Sequence, residues 1–135
     1  MIREKQNQFI ENFKLFDNWT DKFNYLIELG EDLPAECPRT LLPYRFEFCQ
    51  SKTCFFVDND NGKIKLRGWS NSAVMAGIIV VFKNIFDGED TAELNNTDID
   101  FHIKTGLIES LTILRRQSLE KMIDEIVLLS KSILN

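Results

Sequence analysis

Histidine and cysteine are scarce in this chain, and both shortages exclude chemistry. His102 is the single histidine in 135 residues, so a hydrolytic triad would have to be built on it, and it has neither an orienting partner nor a nucleophile elbow in view. The three cysteines, Cys37, Cys49 and Cys54, are an odd number, which suits a reduced cytoplasm better than a disulfide framework. Basic charge is in deficit: 16 Lys and Arg stand against 21 Asp and Glu, a net charge of −5. A general nucleic-acid binder, which needs a basic face against phosphates, is therefore not expected. Long apolar runs are missing too. The longest, residues 73–82, contains Gly77 and is too short to cross a bilayer. The first residues enter an amphipathic stretch with no apolar leader segment. Walker A and dinucleotide glycine motifs are absent. The expectation is a cytoplasmic protein that engages neither nucleic acid nor membrane.

What is present belongs to an ordered globular chain. A content of 44% hydrophobic and 27% charged residues is enough to bury one core, and residues 1–135 read as a single domain. Ile2, Gln6, Phe9, Ile10, Phe13 and Phe16 form a mostly apolar stripe at helical spacing. Asp17 or Asn18 can cap a second helix carrying Trp19, Phe23, Leu26 and Ile27, and Gly30 sits where a glycine commonly ends a helix. Pro34, Pro38 and Pro43 then mark a loop. From Tyr44 the period becomes two, predicting strands over 44–48, 54–57 and 63–67, with a turn at Asp58-Asn59-Asp60-Asn61-Gly62. Ser70 or Asn71 can cap a helix to about residue 86 that is apolar almost all round, and a last helix follows over about 116–134. The fold class predicted is α+β, with a small three-stranded antiparallel sheet packed against helices.

Two thiols fall in one short stretch, FEFCQSKTCFF over residues 46–56. Cys49 lies at a strand end in the outward register, which reads either as the partial exposure a reactive thiol needs or, if the register slips, as a buried structural cysteine. Cys54 reads either as a small apolar residue opening a strand or as a residue facing Cys49 across a hairpin, within disulfide reach. A zinc site from Cys37, Cys49, Cys54 and His102 has the right ligands but not the usual short spacing. Arg115 and Arg116, at the approach to the last helix, can favour a thiolate, hold a carboxylate, or form a solvated basic patch.

The ordered set of segments resembles the SufE family of sulfur-acceptor proteins. Cys49-Gln50-Ser51 is followed by two strands and then by Leu66-Arg67-Gly68-Trp69-Ser70-Asn71-Ser72-Ala73-Val74-Met75-Ala76-Gly77. Residues 18–30, and Leu111, Thr112, Arg115 and 117–123, are similar to that family's second helix and last-helix start. The resemblance implies a SufE/IscU-like fold and a sulfur-transfer accessory protein, not an independent enzyme. Its partners would be a SufS-type cysteine desulfurase, which it stimulates, and an iron–sulfur scaffold complex. It implies no cofactor or bound metal, since the pyridoxal phosphate belongs to the desulfurase. By the same resemblance Cys49 is the persulfide acceptor and Arg115 the arginine near the acceptor loop. Asn71 stands where the family often has an acidic residue, and Cys54 where it usually has tryptophan. If Cys54 faces Cys49, it could act as a resolving thiol. The alternatives from other classes are an iron–sulfur or zinc scaffold of IscU-like fold and a desulfurase-docking module that accepts no sulfur.

Overall fold

A computed structural model of the chain describes residues 1–46 and 51–134, the last four of these by backbone alone. Helices α1 (Ile2–Lys14) and α2 (Trp19–Gly30) lead into a 3-10 turn (Arg39–Tyr44). Strands β1 (Thr53–Asp60) and β2 (Lys63–Ser70) follow, then the long helix α3 (Ala73–Phe86). A second 3-10 turn (Thr91–Asn95) and the short helices α4 (Phe101–Lys104) and α5 (Leu107–Ser110) lead to α6 (Ile113–Leu134).

The first turn of α2 is fixed by Asn18, whose Oδ1 accepts the Asp21 N–H at 2.9 Å, satisfying one of the free donors at a helix start. On α1 the buried positions are Ile2, Gln6, Phe9, Ile10 and Phe13. Gln6 is the polar member of that stripe, and its amide is tied down at both ends. Nε2 donates to the Asp98 carbonyl at 2.9 Å, while Oε1 accepts from the N–H groups of Asp100 and Phe101 at 2.8 and 3.1 Å. A helix is thereby tied to an irregular segment that would otherwise leave backbone groups unpaired in the interior.

The sheet among the described residues has two strands, not three. β1 and β2 pair antiparallel from Thr53↔Ser70 to Asp60↔Lys63. The connecting residues Asn61 and Gly62 have φ of 53° and 88°, the positive values a two-residue hairpin loop requires. The turn predicted over five residues thus shrinks to two, and Asp58, Asn59 and Asp60 join the ladder. Of the expected first strand, Tyr44 instead closes the 3-10 turn, which contains Pro43. Proline fixes φ and offers no donor to a ladder. The chain meets β1 only at an isolated Arg45↔Cys54 bridge and a 2.8 Å bond from Phe46 N–H to the Thr53 carbonyl. Residues 47 and 48 of the expected strand lie outside the described residues.

Helix α3 runs through the centre of the domain, its residues Met75 to Phe82 buried without interruption. It packs on α2 along one side and on β2 along another. Gly30 is the last residue of α2, followed by a right-handed Glu31, so it does not serve as the left-handed glycine expected after a helix end. Its role is proximity: a Cβ there would lie 2.7 Å from the Gly77 nitrogen of α3. The core around α3 is strongly aromatic, with Phe9, Phe55, Phe82, Phe86 and Phe101 linked by edge and tilted contacts. On the other face of the sheet a smaller cluster joins buried Leu41, Cys54 and Trp69 to the proline-rich segment. No helix among the described residues is long and apolar enough to cross a membrane.

Candidate functional site

Three consecutive residues at the end of β2 organise the site, each in a different way. Ser70 Oγ bonds the buried Thr53 hydroxyl at 2.9 Å and accepts the Ser72 N–H at 3.1 Å. Asn71 pairs with Lys52 twice: its Oδ1 accepts the Lys52 N–H and its own N–H donates to the Lys52 carbonyl, both at 3.0 Å. Ser72, not Ser70 or Asn71, caps α3, its Oγ accepting the Met75 N–H at 3.3 Å. Ser70 and Asn71 thus hold the chain that follows Cys49 next to the start of α3, which Ser72 caps.

Beside that anchor lies a cavity of about 520 Å³, lined by Ser51, Asn71, Ser72, Thr112, Arg115 and Ser118 among others. It brings together the chain just after the FEFC stretch, the first turn of α3 and the first turns of α6. The first turns of both α3 and α6 therefore border the same space, and a helix N-terminus carries partial positive charge. The two arginines part company here. Arg116 is spent on structure, its guanidinium donating to the carbonyls of Ile108 and Glu109 at 3.1 and 3.4 Å. Arg115 is half-buried at the cavity wall and has no hydrogen-bond or ion-pair partner among the described residues. An electropositive pocket with an uncommitted guanidinium is suited to an anion or a thiolate.

Residues 7–129 match the family described as SufE, the Fe-S metabolism associated domain. The chain belongs to the SufE family. It is 31% identical over 127 residues to an uncharacterized SufE-like protein of Rhizobium meliloti (strain 1021), covering 89% of this chain and 90% of that one. Its fold is that of a hypothetical protein from Thermus thermophilus solved in solution, with a TM-score of 0.72, 96% of each chain covered and 22% identity. Membership ties this SufE protein to iron–sulfur metabolism.

Of the site residues read from sequence, Asn71 and Arg115 meet at the cavity. Cys49 lies outside the described residues, two positions before Ser51. Cys54 is elsewhere. It is fully buried on the opposite face of the sheet from the helical core, packed with Leu41 and Trp69. The residue bridged to Cys54 across the strand is Arg45, while Cys49, the alternative facing partner, lies outside the described residues. Its sulfur meets Cys37 instead, with Sγ atoms 3.7 Å apart. Burial first, then contact with Cys37, pushes the Cys54 thiol up to about 11. Sequence reading missed the serines and threonine of the cavity wall. They fall within the segments that resemble the family but were given no role there, and only the fold brings them onto one surface.

The four-ligand zinc set is not assembled among the described residues, where no group of three potential ligands meets. His102 is buried at 7% exposure with its Nδ1 unpaired among those residues. Burial lowers its pKa, against the opposing charges of Asp100 and Glu120. It is thus neutral in the folded state at neutral pH, while the unfolded chain takes up a proton more readily. Its contribution is fully present above the ordinary histidine pKa and is lost as pH falls below it. Between about pH 7.5 and 5.5 the melting temperature should drop. A His102→Gln variant should show a shallower slope in the same melts, and an equal slope would reassign the loss to other groups.

Proposed function

We propose that this SufE protein is a sulfur acceptor that takes persulfide sulfur from a SufS-type cysteine desulfurase onto Cys49 and passes it to an iron–sulfur scaffold. The observation that carries the reading is the convergence of Ser51, Asn71 and Arg115 on one electropositive cavity, with Ser51 two residues beyond Cys49. Family membership supports it by tying the chain to iron–sulfur metabolism.

The chemistry is a thiol exchange. The Cys49 thiolate attacks the terminal sulfur of the desulfurase persulfide; a new S–S bond forms on Cys49, the old one breaks, and the desulfurase cysteine leaves as thiolate. No net oxidation occurs and no cofactor of the acceptor is needed. Arg115 and the two helix ends favour the attacking thiolate and the persulfide anion that follows. Asn71 acts as a positioning residue, because its two bonds to Lys52 fix the chain on the C-terminal side of the acceptor segment. Stimulation of the desulfurase follows from the same step, since removing the persulfide frees its thiol for another turnover.

The test is intact-mass analysis after mixing the protein with a SufS-type desulfurase and cysteine, without reductant. A gain of sulfur that maps to Cys49 supports the reading. No added sulfur, with Cys49 a free thiol that still binds the desulfurase, would make the chain a docking module. Stoichiometric iron or zinc on the purified protein would favour a scaffold.

Arg115→Ala should slow sulfur acceptance about tenfold, the change in thiolate fraction when a nearby opposite charge worth about one pKa unit is removed. Arg115→Lys should recover part of the rate, because it restores the charge without the planar guanidinium. Single-turnover transfer from the loaded desulfurase measures both. Equal rates for the parent and Arg115→Ala would remove Arg115 from the mechanism.

A further inference from the structure

The contact between Cys37 and Cys54 has no part in sulfur acceptance at Cys49, yet it has the features of a built thiol pair. The two sulfurs come from segments 17 residues apart and lie at 3.7 Å. Cys54 is held rigidly, bridged to Arg45 on one side and paired with Trp69 on the other. Its side chain is wholly buried. Cys37 is half-buried in the proline-rich segment over 31–38, which forms no helix or strand. That segment is kept against the sheet by the Trp69 indole, whose N–H donates to the Pro34 carbonyl at 2.8 Å, and by the packing of Leu33 and Cys37 on Leu41, Cys54 and Trp69. One thiol is accessible and adaptable, and the other is fixed and shielded.

We propose that Cys37 and Cys54 form a redox-active site that closes to a reversible disulfide on exposure to hydrogen peroxide or an organic hydroperoxide. The Cys37 thiolate attacks one peroxide oxygen, the O–O bond breaks, and water or an alcohol departs, leaving a sulfenic acid on Cys37. The Cys54 sulfur then attacks the Cys37 sulfur. An S–S bond forms, the S–O bond breaks, and the hydroxide leaves as water with the Cys54 proton. The peroxide gains two electrons and each thiol loses one. Closing from 3.7 Å to a bond of about 2.0 Å needs a shift that the irregular Cys37 segment can make.

The order of events follows from exposure and acidity. A wholly buried sulfur does not meet the oxidant first, and the raised pKa of Cys54, caused chiefly by burial, keeps it protonated until the sulfenic acid forms beside it. A buried free cysteine often serves only as a small apolar residue. Here its nearest polar partner is a second thiol whose other neighbour is the Pro38 carbonyl, 3.5 Å from the Cys37 sulfur, a pairing that packing alone does not require.

The test needs no desulfurase, so its outcome is independent of the acceptor role of Cys49. The full chain is treated with hydrogen peroxide, alkylated, and read by intact mass and peptide mapping. The expected product links the peptides of Cys37 and Cys54 by a disulfide with the loss of two hydrogens, leaves Cys49 outside that disulfide, and reopens with dithiothreitol. Cys37→Ser, a substitution at a half-exposed site with circular dichroism as the fold check, should reduce disulfide formation to background. Cys54→Ala should leave a sulfenic acid on Cys37 that dimedone traps. A disulfide that includes Cys49, or a sulfinic acid on Cys37 with Cys54 alkylated, would overturn the proposal.

Discussion

Replacing Gly77 with alanine is expected to destabilise the protein by about 3 kcal/mol or more, a loss of roughly 10 °C in melting temperature for a chain of this size. The reason is backbone contact. A Cβ on Gly77 would sit 1.9 Å from the Leu26 carbonyl oxygen and 2.4 Å from its carbon, where even close carbon–oxygen contacts keep about 3.3 Å. The obstacle is main chain inside α2, so no rotamer change relieves it, and the helices must move apart or shift past each other. Separation would also part Gly30 from Ala76 and Gly77 and loosen a helix pair on which the central core depends. Alanine's better helix propensity returns only about 1 kcal/mol. Lys83→Ala, on the exposed side of the same helix, should stay within about 0.5 kcal/mol. Thermal melts of the two variants decide the matter: a Gly77→Ala protein melting with the parent would show that the close helix crossing is not needed.

That crossing was only half legible in the sequence. Periodicity gives the apolar faces of α1, α2 and α3, because Phe9, Leu26 and Ile78 must be removed from water wherever the helices go. It does not say which backbone approaches which, so Gly30 looks like a helix stop when it is a contact. The same limit governs the sheet. Alternation over Tyr44, Phe46 and Phe48 suggests a strand, yet Tyr44 closes the 3-10 turn that contains Pro43 and Arg45 meets β1 only by an isolated bridge. The Asn61-Gly62 turn is readable because its signal is local: both residues tolerate the positive φ it needs. At the candidate site, Arg115 stands out by its charge beside Arg116 and Asn71 as a possible helix cap, but only the family resemblance relates either to the acceptor segment. The Cys37–Cys54 contact was invisible for a different reason. Cys37 lies in an irregular segment with no periodicity, so nothing local in the sequence places it against Cys54.

The second large effect concerns Cys49. Cys49→Ser should abolish sulfur acceptance, with intact mass unchanged after incubation with a SufS-type desulfurase and cysteine, while binding of the desulfurase persists. Serine keeps the size and polarity of the side chain but not a nucleophile that can hold sulfane sulfur near neutral pH. The other two thiols are poor substitutes. Cys54 is wholly buried, and with its thiol pushed up to about 11 only about one molecule in ten thousand carries the thiolate at pH 7. Cys37 is partly accessible, but it lies against Cys54 on the far face of the sheet, and neither it nor Cys54 lines the cavity that holds Arg115. A Cys37→Ser control should therefore accept sulfur as the parent does. Sulfur arriving on Cys37 or Cys54 in the Cys49→Ser protein would overturn the assignment of Cys49 and move the acceptor to the thiol pair. An unmodified variant that also fails to bind the desulfurase would make the Cys49 side chain part of the docking surface as well as the acceptor.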